Sequence, residues 1–176
     1  MAEGFVPGLL RGRADVEVSS AGIVGWDGSP AVEEAIAAAA ELGADISGHV
    51  ARRLERAHVE ASDLIVCMAA EHRDSVARMV PEAAARTFTL KELVMLLDEQ
   101  PPGKNGGSLR ERVGAADALR RSRAGSARRD DDVADPLGMT MDAFRTVARE
   151  IHEWSGRLVG GLFGSDVTDG RQAASA

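Results

Sequence analysis

Asp63-Leu64-Ile65-Val66-Cys67-Met68 decides the fold, because an apolar run of this length after a single aspartate is typical of a strand buried on both faces. Such strands lie in parallel sheets that helices cover on both sides. Downstream, residues 70–79 and Leu90 to Leu97 have helical patterns, and Arg86-Thr87-Phe88 between them is a short predicted strand. The alternation of strands and helices predicts an α/β architecture with a parallel sheet.

Upstream of this run, apolar spacing and capping residues predict three helices and one strand. Phe5, Leu9 and Leu10 give residues 2–12 an apolar helical face, whereas residues 15–19 alternate in the manner of a strand. The other two predicted helices are 31–42, with Ser29 as N-cap and Pro30 as first residue, and 48–54, with Ser47 as N-cap.

The composition changes downstream of the second predicted strand and its helix. Residues 98–134 are rich in Pro, Gly, Asn, Ser and charge, which predicts a long exposed insertion with a helix near 108–121. The last predicted helix, 141–162, carries a core-facing stripe made of Phe144, Val147, Ile151, Trp154, Leu158 and Leu162. We therefore expect one domain over residues 1–162 and a disordered tail over 163–176.

Charge and cysteine content narrow the function classes. The 28 acidic and 21 basic residues give a net charge of −7, which opposes binding to nucleic acid or to an anionic membrane surface. Cys67 is the single cysteine, so an internal disulfide is excluded and we expect a cytoplasmic protein. The spacing of His58, His72 and His152 does not predict a metal site. A small substrate or a protein partner fits this composition better than nucleic acid or a membrane surface does.

Three separated segments carry a resemblance to a known family. They are Ser20-Ala21-Gly22 followed by Trp26 and Pro30, Ile46 to Arg52 followed by the strand 63–68, and Asp135-Pro136-Leu137-Gly138 before the last helix. In this order and at these intervals they resemble the low-molecular-weight protein tyrosine phosphatase family. The resemblance implies a flavodoxin-like, three-layer sandwich around a parallel sheet. It also implies hydrolysis of phosphate monoesters on phosphorylated proteins, through a cysteinyl-phosphate, with neither a metal nor an organic cofactor.

One part of the family pattern has no match at the expected place. The family's nucleophile lies in a loop of Cys, five residues and Arg, and Ser-Pro-Met-Ala-Glu follows this loop at the start of the first helix. The chain begins with Met1-Ala2-Glu3-Gly4, so the resemblance places the first strand and the phosphate loop upstream of residue 1. We therefore expect a start assigned too late and no phosphatase activity in the chain as given, because phosphate binding needs that loop's N–H groups and guanidinium.

The resemblance assigns Asp135 as the general acid, which protonates the leaving-group oxygen and later helps water to attack the cysteinyl-phosphate. The other interpretation is that Asp135 and Pro136 form only a turn before the last helix. Leu137 stands where family members often have an aromatic residue in the substrate wall, so phosphoarginine is an alternative to phosphotyrosine. Trp26 is a second candidate for this wall, or it packs on its own domain.

Two polar residues match family positions that support the phosphate loop from behind. These are Ser20 and His49, whose other interpretation is that of satisfied polar groups at a strand end and a helix start. Cys67 is a poor replacement for the nucleophile, because a thiol within a buried strand is typically unreactive and has a raised pKa.

Two further functions stay open at this point. An arsenate reductase on the same scaffold would need resolving cysteines, and the single Cys67 opposes that activity. A binding module without catalysis could use a cleft around Trp26 and Asp135, but it would have to fold with unpaired strand ladders.

Overall fold

The computed structural model describes residues 1–10, 15–24, 27–100, 108–123 and 131–164. Two short strands and the helices around them make up its regular structure. In chain order the elements are α1 (Ala2–Leu10), α2 (Glu33–Ala40), α3 (Arg56–Ala61), β1 (Ile65–Cys67), α4 (Ala70–Met79), a 3₁₀ helix (Pro81–Arg86), β2 (Thr87–Thr89), α5 (Leu90–Asp98), α6 (Leu109–Ser122) and α7 (Met141–Phe163).

The strands β1 and β2 pair in parallel, with Val66 opposite Phe88. A parallel pair requires a crossover connection, and here α4 and the 3₁₀ helix supply it. The apolar run at 63–68 thus forms a strand as expected, although the ladder covers only Ile65–Cys67. The helices predicted at 70–79 and from Leu90 to Leu97 are confirmed as α4 and α5.

The sheet lies between two apolar cores, because side chains alternate between the faces of a strand. Val66 and Phe88 face the larger core, to which α1, α2, α5 and α7 contribute. Ile65 and Cys67 face a smaller core with Val59 of α3 and residues of α4. Helices therefore cover both faces of the parallel pair, which confirms the predicted α/β fold.

The helix α7 is the main wall of the larger core. Its predicted apolar stripe is confirmed, since the stripe residues other than Trp154 are buried. Trp154 is half-buried, and the Arg157 guanidinium lies 4.2 Å from the centre of its ring. Residues 165–176, and with them nearly all of the expected disordered tail, lie outside the described residues.

The expectation of an exposed insertion at 98–134 needs a correction. Its predicted helix exists as α6, but Val113, Ala116 and Asp117 on this helix are buried. Asp117 Oδ1 lies 2.6 Å from Arg120, whose guanidinium also donates to the backbone oxygen of Thr87 in β2 at 2.8 Å. The arginine thus links α6 to the sheet, which composition alone does not reveal.

The helix predicted at 31–42 is confirmed as α2, but its predicted start and the helix predicted at 48–54 are wrong, because residues 29–30 pair with residues 50–51 instead. Ser29 and Pro30 do not begin a helix: the Ser29 oxygen accepts from the Ala51 N–H, and Pro30 bridges Val50. The same pairing prevents a helix at 48–54. Ser47 does not cap it, since its own N–H donates to Asp45 Oδ1 at 2.9 Å.

The strand predicted at 15–19 is also wrong. Val16 and Val18 are half-buried and their neighbours are exposed, so the alternation is present. These residues nevertheless have no ladder partner among the described ones, and pairing begins only at Gly22, which bridges Arg53. Alternation predicts which side chains are covered, whereas a strand also needs a neighbour to accept its hydrogen bonds.

Candidate functional site

The first turn of α1 gathers polar side chains from two loops. Ser20 Oγ donates to Glu3 Oε2 at 2.6 Å, and His49 Nδ1 lies 3.0 Å from the same oxygen. The Arg52 guanidinium approaches the other carboxylate oxygen at 4.0 Å. A carboxylate in a first helical turn is favoured by the helix dipole, so Glu3 is a suitable centre for this cluster.

Backbone pairing brings the two loops to this place. The Gly22 N–H donates to the Arg52 oxygen at 2.9 Å, and the Leu54 N–H donates to the Gly22 oxygen at 2.7 Å. Arg52 Nε in addition donates to the Ser20 oxygen at 2.7 Å. Ser20 and His49, which are 29 residues apart in the chain, thereby meet at one carboxylate. The structure thus brings these two predicted site residues together.

Asp135 lies in a second loop, beyond the carboxyl end of β1. The Val133 N–H donates to the Met68 oxygen at 2.7 Å, which ties this loop to the residue that follows β1. Asp135 is exposed, Pro136 is buried, and Gly138 has a φ of 79°. The Asp135 side chain accepts from the Leu137 N–H at 3.0 Å, so it also stabilises a local turn, as the alternative interpretation expects.

The other predicted site residues have different outcomes. Leu137 is 57% exposed on the Asp135 loop, where a substrate could contact it. Trp26 lies outside the described residues. Within the described ranges, no hydrogen bond or ion pair joins Asp135 to the Glu3 cluster. Nor do those ranges contain three or more His, Cys, Asp or Glu side chains grouped so that they could hold a metal ion.

Cys67 has the environment that the sequence predicts. It is 6% exposed, and burial raises the pKa of its thiol to about 11, although the nearby Arg73 charge acts in the opposite direction. A thiol with such a pKa is almost wholly protonated near neutral pH, whereas catalytic cysteines act as thiolates. Cys67 therefore lacks the ionisation that a nucleophile needs.

Cys67 and Arg73 nevertheless have the spacing of Cys, five residues and Arg, which the sequence analysis missed. The structure shows why this match is not a phosphate loop. Helix α4 begins at Ala70, so only Met68 and Ala69 separate it from β1, and the Ala70 N–H already donates to Asp132 at 2.7 Å. The Arg73 guanidinium pairs with Glu92 at 3.3 Å rather than facing an open anion site.

Glu3 and Arg52 are the residues that sequence reasoning overlooked. The signal for Glu3 was present, because it is the glutamate of the family's Met-Ala-Glu pattern. Arg52 closes the second family segment, Ile46 to Arg52, but its contact with the Ser20 oxygen depends on a fold that spacing does not show. Chemically, the Glu3 cluster can hold the start of α1 and two loops in fixed positions, and exposed Asp135 can transfer a proton.

The comparisons with known proteins agree on one family. Residues 1–102 match the family model described as low molecular weight phosphotyrosine protein phosphatase. The chain is 32% identical over 104 residues to a protein-arginine-phosphatase of Geobacillus stearothermophilus. This alignment covers 59% of the chain and 70% of that relative. It is also 38% identical over 81 residues to the low molecular weight protein-tyrosine-phosphatase Etp of Escherichia coli strain K12. This second alignment covers 46% of the chain and 55% of that relative.

A solved structure supports the same assignment. The low molecular weight protein tyrosine phosphatase from T. tengcongensis aligns with a TM-score of 0.66 and 29% identity, over 92% of this chain and 88% of the other. Among the described helices, none has both the length and the apolar character that crossing a membrane requires.

Proposed function

Because the chain belongs to the low molecular weight phosphotyrosine protein phosphatase family, we propose that it contributes Asp135 as the general acid in the dephosphorylation of a protein side chain. The observation that carries this proposal is the exposed Asp135 carboxylate on a loop tied to Met68, directly after β1. Ligands of open parallel sheets bind beyond the carboxyl ends of the strands. Asp135 therefore stands where such a substrate would lie.

The reaction has two steps. A cysteine thiolate attacks phosphorus, the bond from phosphorus to the leaving oxygen breaks, and the carboxylic acid of Asp135 gives its proton to that oxygen. The Asp135 carboxylate then takes a proton from water, which attacks the cysteinyl-phosphate and releases inorganic phosphate and the thiolate. The proton that Asp135 donates is thus recovered in the second step.

The nucleophile of this mechanism is not Cys67, the single cysteine of the sequence, because its thiol is buried and protonated. We propose that the thiolate belongs to a phosphate loop that joins the start of α1, and that the chain as printed does not turn over phosphate esters. Ser20 and His49 support this proposal, since both meet Glu3 in the first turn of α1. They would hold the base of that loop.

Phosphoarginine is a second candidate substrate. The residue after Asp135-Pro136 is the aliphatic Leu137, which cannot stack on a phenyl ring as an aromatic wall would. A relative at 32% identity is a protein-arginine-phosphatase. In that reaction the proton of Asp135 would go to the leaving guanidinium nitrogen.

The first test is hydrolysis of an aryl phosphate by the printed chain and by a form extended upstream in frame through one loop and one strand. We expect turnover in the extended form alone. Asp135→Asn in this form should lower kcat by about 10²–10⁴-fold, the usual effect of losing a general acid. If the extended form is folded and inactive, the enzyme is excluded and a binding module becomes the better interpretation.

The second test compares the extended form on a phosphotyrosine peptide and on a phosphoarginine peptide of the same sequence. A higher kcat/KM for phosphoarginine supports the second candidate. Leu137→Tyr should then shift the preference towards phosphotyrosine, because an aromatic side chain at this position can stack on the phenyl ring of the substrate. Unchanged kcat/KM on both peptides would show that Leu137 does not contact the substrate, and an equal loss on both would show that Leu137 does not set the preference.

A further inference from the structure

We propose that Lys91 and Asp132 are positioning residues that fix the loop carrying Asp135. The inference rests on the proposed role of Asp135 as general acid. It concerns three hydrogen bonds that Asp132 and Val133, named here the anchor, make to α5, to α4 and to the residue that follows β1. Neither Lys91 nor Asp132 needs to touch the substrate for this role.

The first bond runs from Lys91 at the start of α5. Its ammonium donates to the backbone oxygen of Asp132 at 2.7 Å and pairs with Glu150 of α7 at 2.7 Å. The Lys91 side chain is only 13% exposed, so most of its usual hydration is replaced by these two acceptors. A half-buried ammonium with two fixed partners holds its position better than one in water.

The second and third bonds join the anchor to the end of β1 and to α4. Asp132 Oδ1 accepts from the Ala70 N–H at 2.7 Å, which places a carboxylate at the N-terminus of α4, where the helix dipole favours it. The Val133 N–H donates to the Met68 oxygen at 2.7 Å, and the Val133 side chain is 7% exposed. The anchor is therefore fixed on both its backbone and its side chains.

The anchor limits the freedom of Asp135. Only Ala134 separates Val133 from Asp135, and the next residue, Pro136, is buried and has a ring that restricts its φ. The acid is thus attached on both sides to fixed backbone. General acid catalysis needs the donor within hydrogen-bond distance of the leaving atom, and small displacements of such a group lower the rate strongly.

The structural test compares Lys91→Met with Arg157→Met. Each substitution removes one ion pair between α5 and α7, but the Arg157 pair with Asp98, at 2.5 Å, does not contact the anchor. We expect Lys91→Met to speed amide hydrogen exchange at Val133 by about tenfold, because local opening becomes easier, and Arg157→Met to leave it unchanged. Equal amide hydrogen exchange at Val133 in the two variants would show that Lys91 does not fix the anchor, and would overturn the proposal.

The kinetic test uses the extended form and two aryl phosphates, one with a good leaving group (2,4-dinitrophenyl phosphate) and one with a poor one (phenyl phosphate). A displaced acid harms the poor leaving group most, because only that oxygen needs the proton. Lys91→Met should therefore lower kcat/KM, which reports only the formation of the cysteinyl-phosphate, by about tenfold for phenyl phosphate and leave kcat/KM for the other ester nearly unchanged. An equal loss on both esters would show general damage and would contradict the positioning role.

A second pair of variants keeps the test decisive if Lys91→Met does not fold. Asp132→Ala removes the acceptor for the Ala70 N–H, whereas Asp132→Asn keeps an oxygen there. We expect the leaving-group effect and faster exchange with alanine and their rescue with asparagine; no difference between the two would overturn the role of Asp132. If the extended form without substitutions is inactive, the proposed function is refuted. Amide hydrogen exchange at Val133 would still decide whether the anchor exists, because this measurement does not depend on activity.

Discussion

The sheet region, residues 64–98, and the α1 region, made of Glu3 and the loops 20–22 and 46–54, are held by different interactions. Apolar contact on both faces of β1 and β2 stabilises the sheet region, where Phe88 is 0% exposed. Apart from Ile46, which is buried in the larger core, isolated bridges and bonds to charged side chains hold the α1 region, where Glu3 is still 29% exposed. Stability is therefore concentrated in the first region, and the geometry of the candidate site depends on the second.

The largest effect should come from Phe88→Ala, which tests the sheet region directly. Removing a fully buried ring from the larger core leaves a cavity and should lower the free energy of unfolding by about 3–5 kcal/mol. Urea unfolding measures this change. The matched variant Leu137→Ala, at a side chain that is 57% exposed on the candidate site, should change it by less than about 0.5 kcal/mol. Similar losses in the two variants would contradict the comparison.

Cys67 gives a second test of the sheet region, through its ionisation. Burial raises its pKa from 9.0 to about 11, so the thiolate fraction near pH 8 is lower by about 100-fold than in an unfolded chain. Alkylation by iodoacetamide should slow at least in that proportion in the folded protein, with the urea-unfolded chain as control. Comparable rates would show that this thiol is accessible and reactive.

The same pKa also predicts how stability depends on pH. Because the folded state keeps the proton on Cys67 more strongly than the unfolded state, this contribution is complete below pH 9.0. It is lost as pH rises from 9.0 towards about 11, since only the unfolded thiol ionises in that range. Cys67→Ala should weaken this part of the pH dependence in urea unfolding measurements.

The sheet region and the last helix could be predicted from the sequence because their signals are local. The apolar run at 63–68 and the stripe on 141–162 encode burial within one element, and both are found in the structure. The capping box of α5, in which Thr89 accepts from the Glu92 N–H, is local as well. Prediction failed where residues pair across the chain, as Pro30 does with Val50.

The candidate site was predictable only in its parts. The family pattern supplied Ser20, His49 and Asp135, but no spacing rule states that the first two meet at Glu3. Their meeting depends on backbone pairing between Gly22 and the residues around Arg52. Polar contacts between distant segments are set by the whole fold, so they carry no periodic signal of their own.

A close approach between α1 and the loop before His49 sharpens the comparison. A Cβ at Gly4 would lie 2.3 Å from Ile46 Cγ2, whereas a Cβ at Gly8 on the same helix would meet nothing within 4 Å. Gly4→Ala should therefore lower the free energy of unfolding by about 1–3 kcal/mol, since α1 must move away. Gly8→Ala should raise it by about 0.5–1 kcal/mol through helix propensity. A stabilising Gly4→Ala, measured by thermal unfolding, would show that α1 packs loosely.

Among the destabilising variants other than the controls, Glu3→Gln should have the smallest effect on stability, although it disturbs the candidate site most directly. Glutamine keeps the shape and one acceptor for Ser20 but removes the charge that faces His49 and Arg52. Because the cluster is partly exposed, solvent screening limits the expected loss to about 1 kcal/mol.

The matched control is Glu34→Gln, which also removes a carboxylate from a first helical turn, on α2. The helix-dipole contribution is thus similar in the two variants, and their difference isolates the Glu3 cluster. With Glu3→Gln alone, we expect faster amide exchange at Gly22 and Leu54, whose hydrogen bonds join the two loops. Unchanged exchange at both amides would mean that backbone pairing holds these loops without Glu3, and the cluster would then be a consequence of the loop geometry rather than its cause.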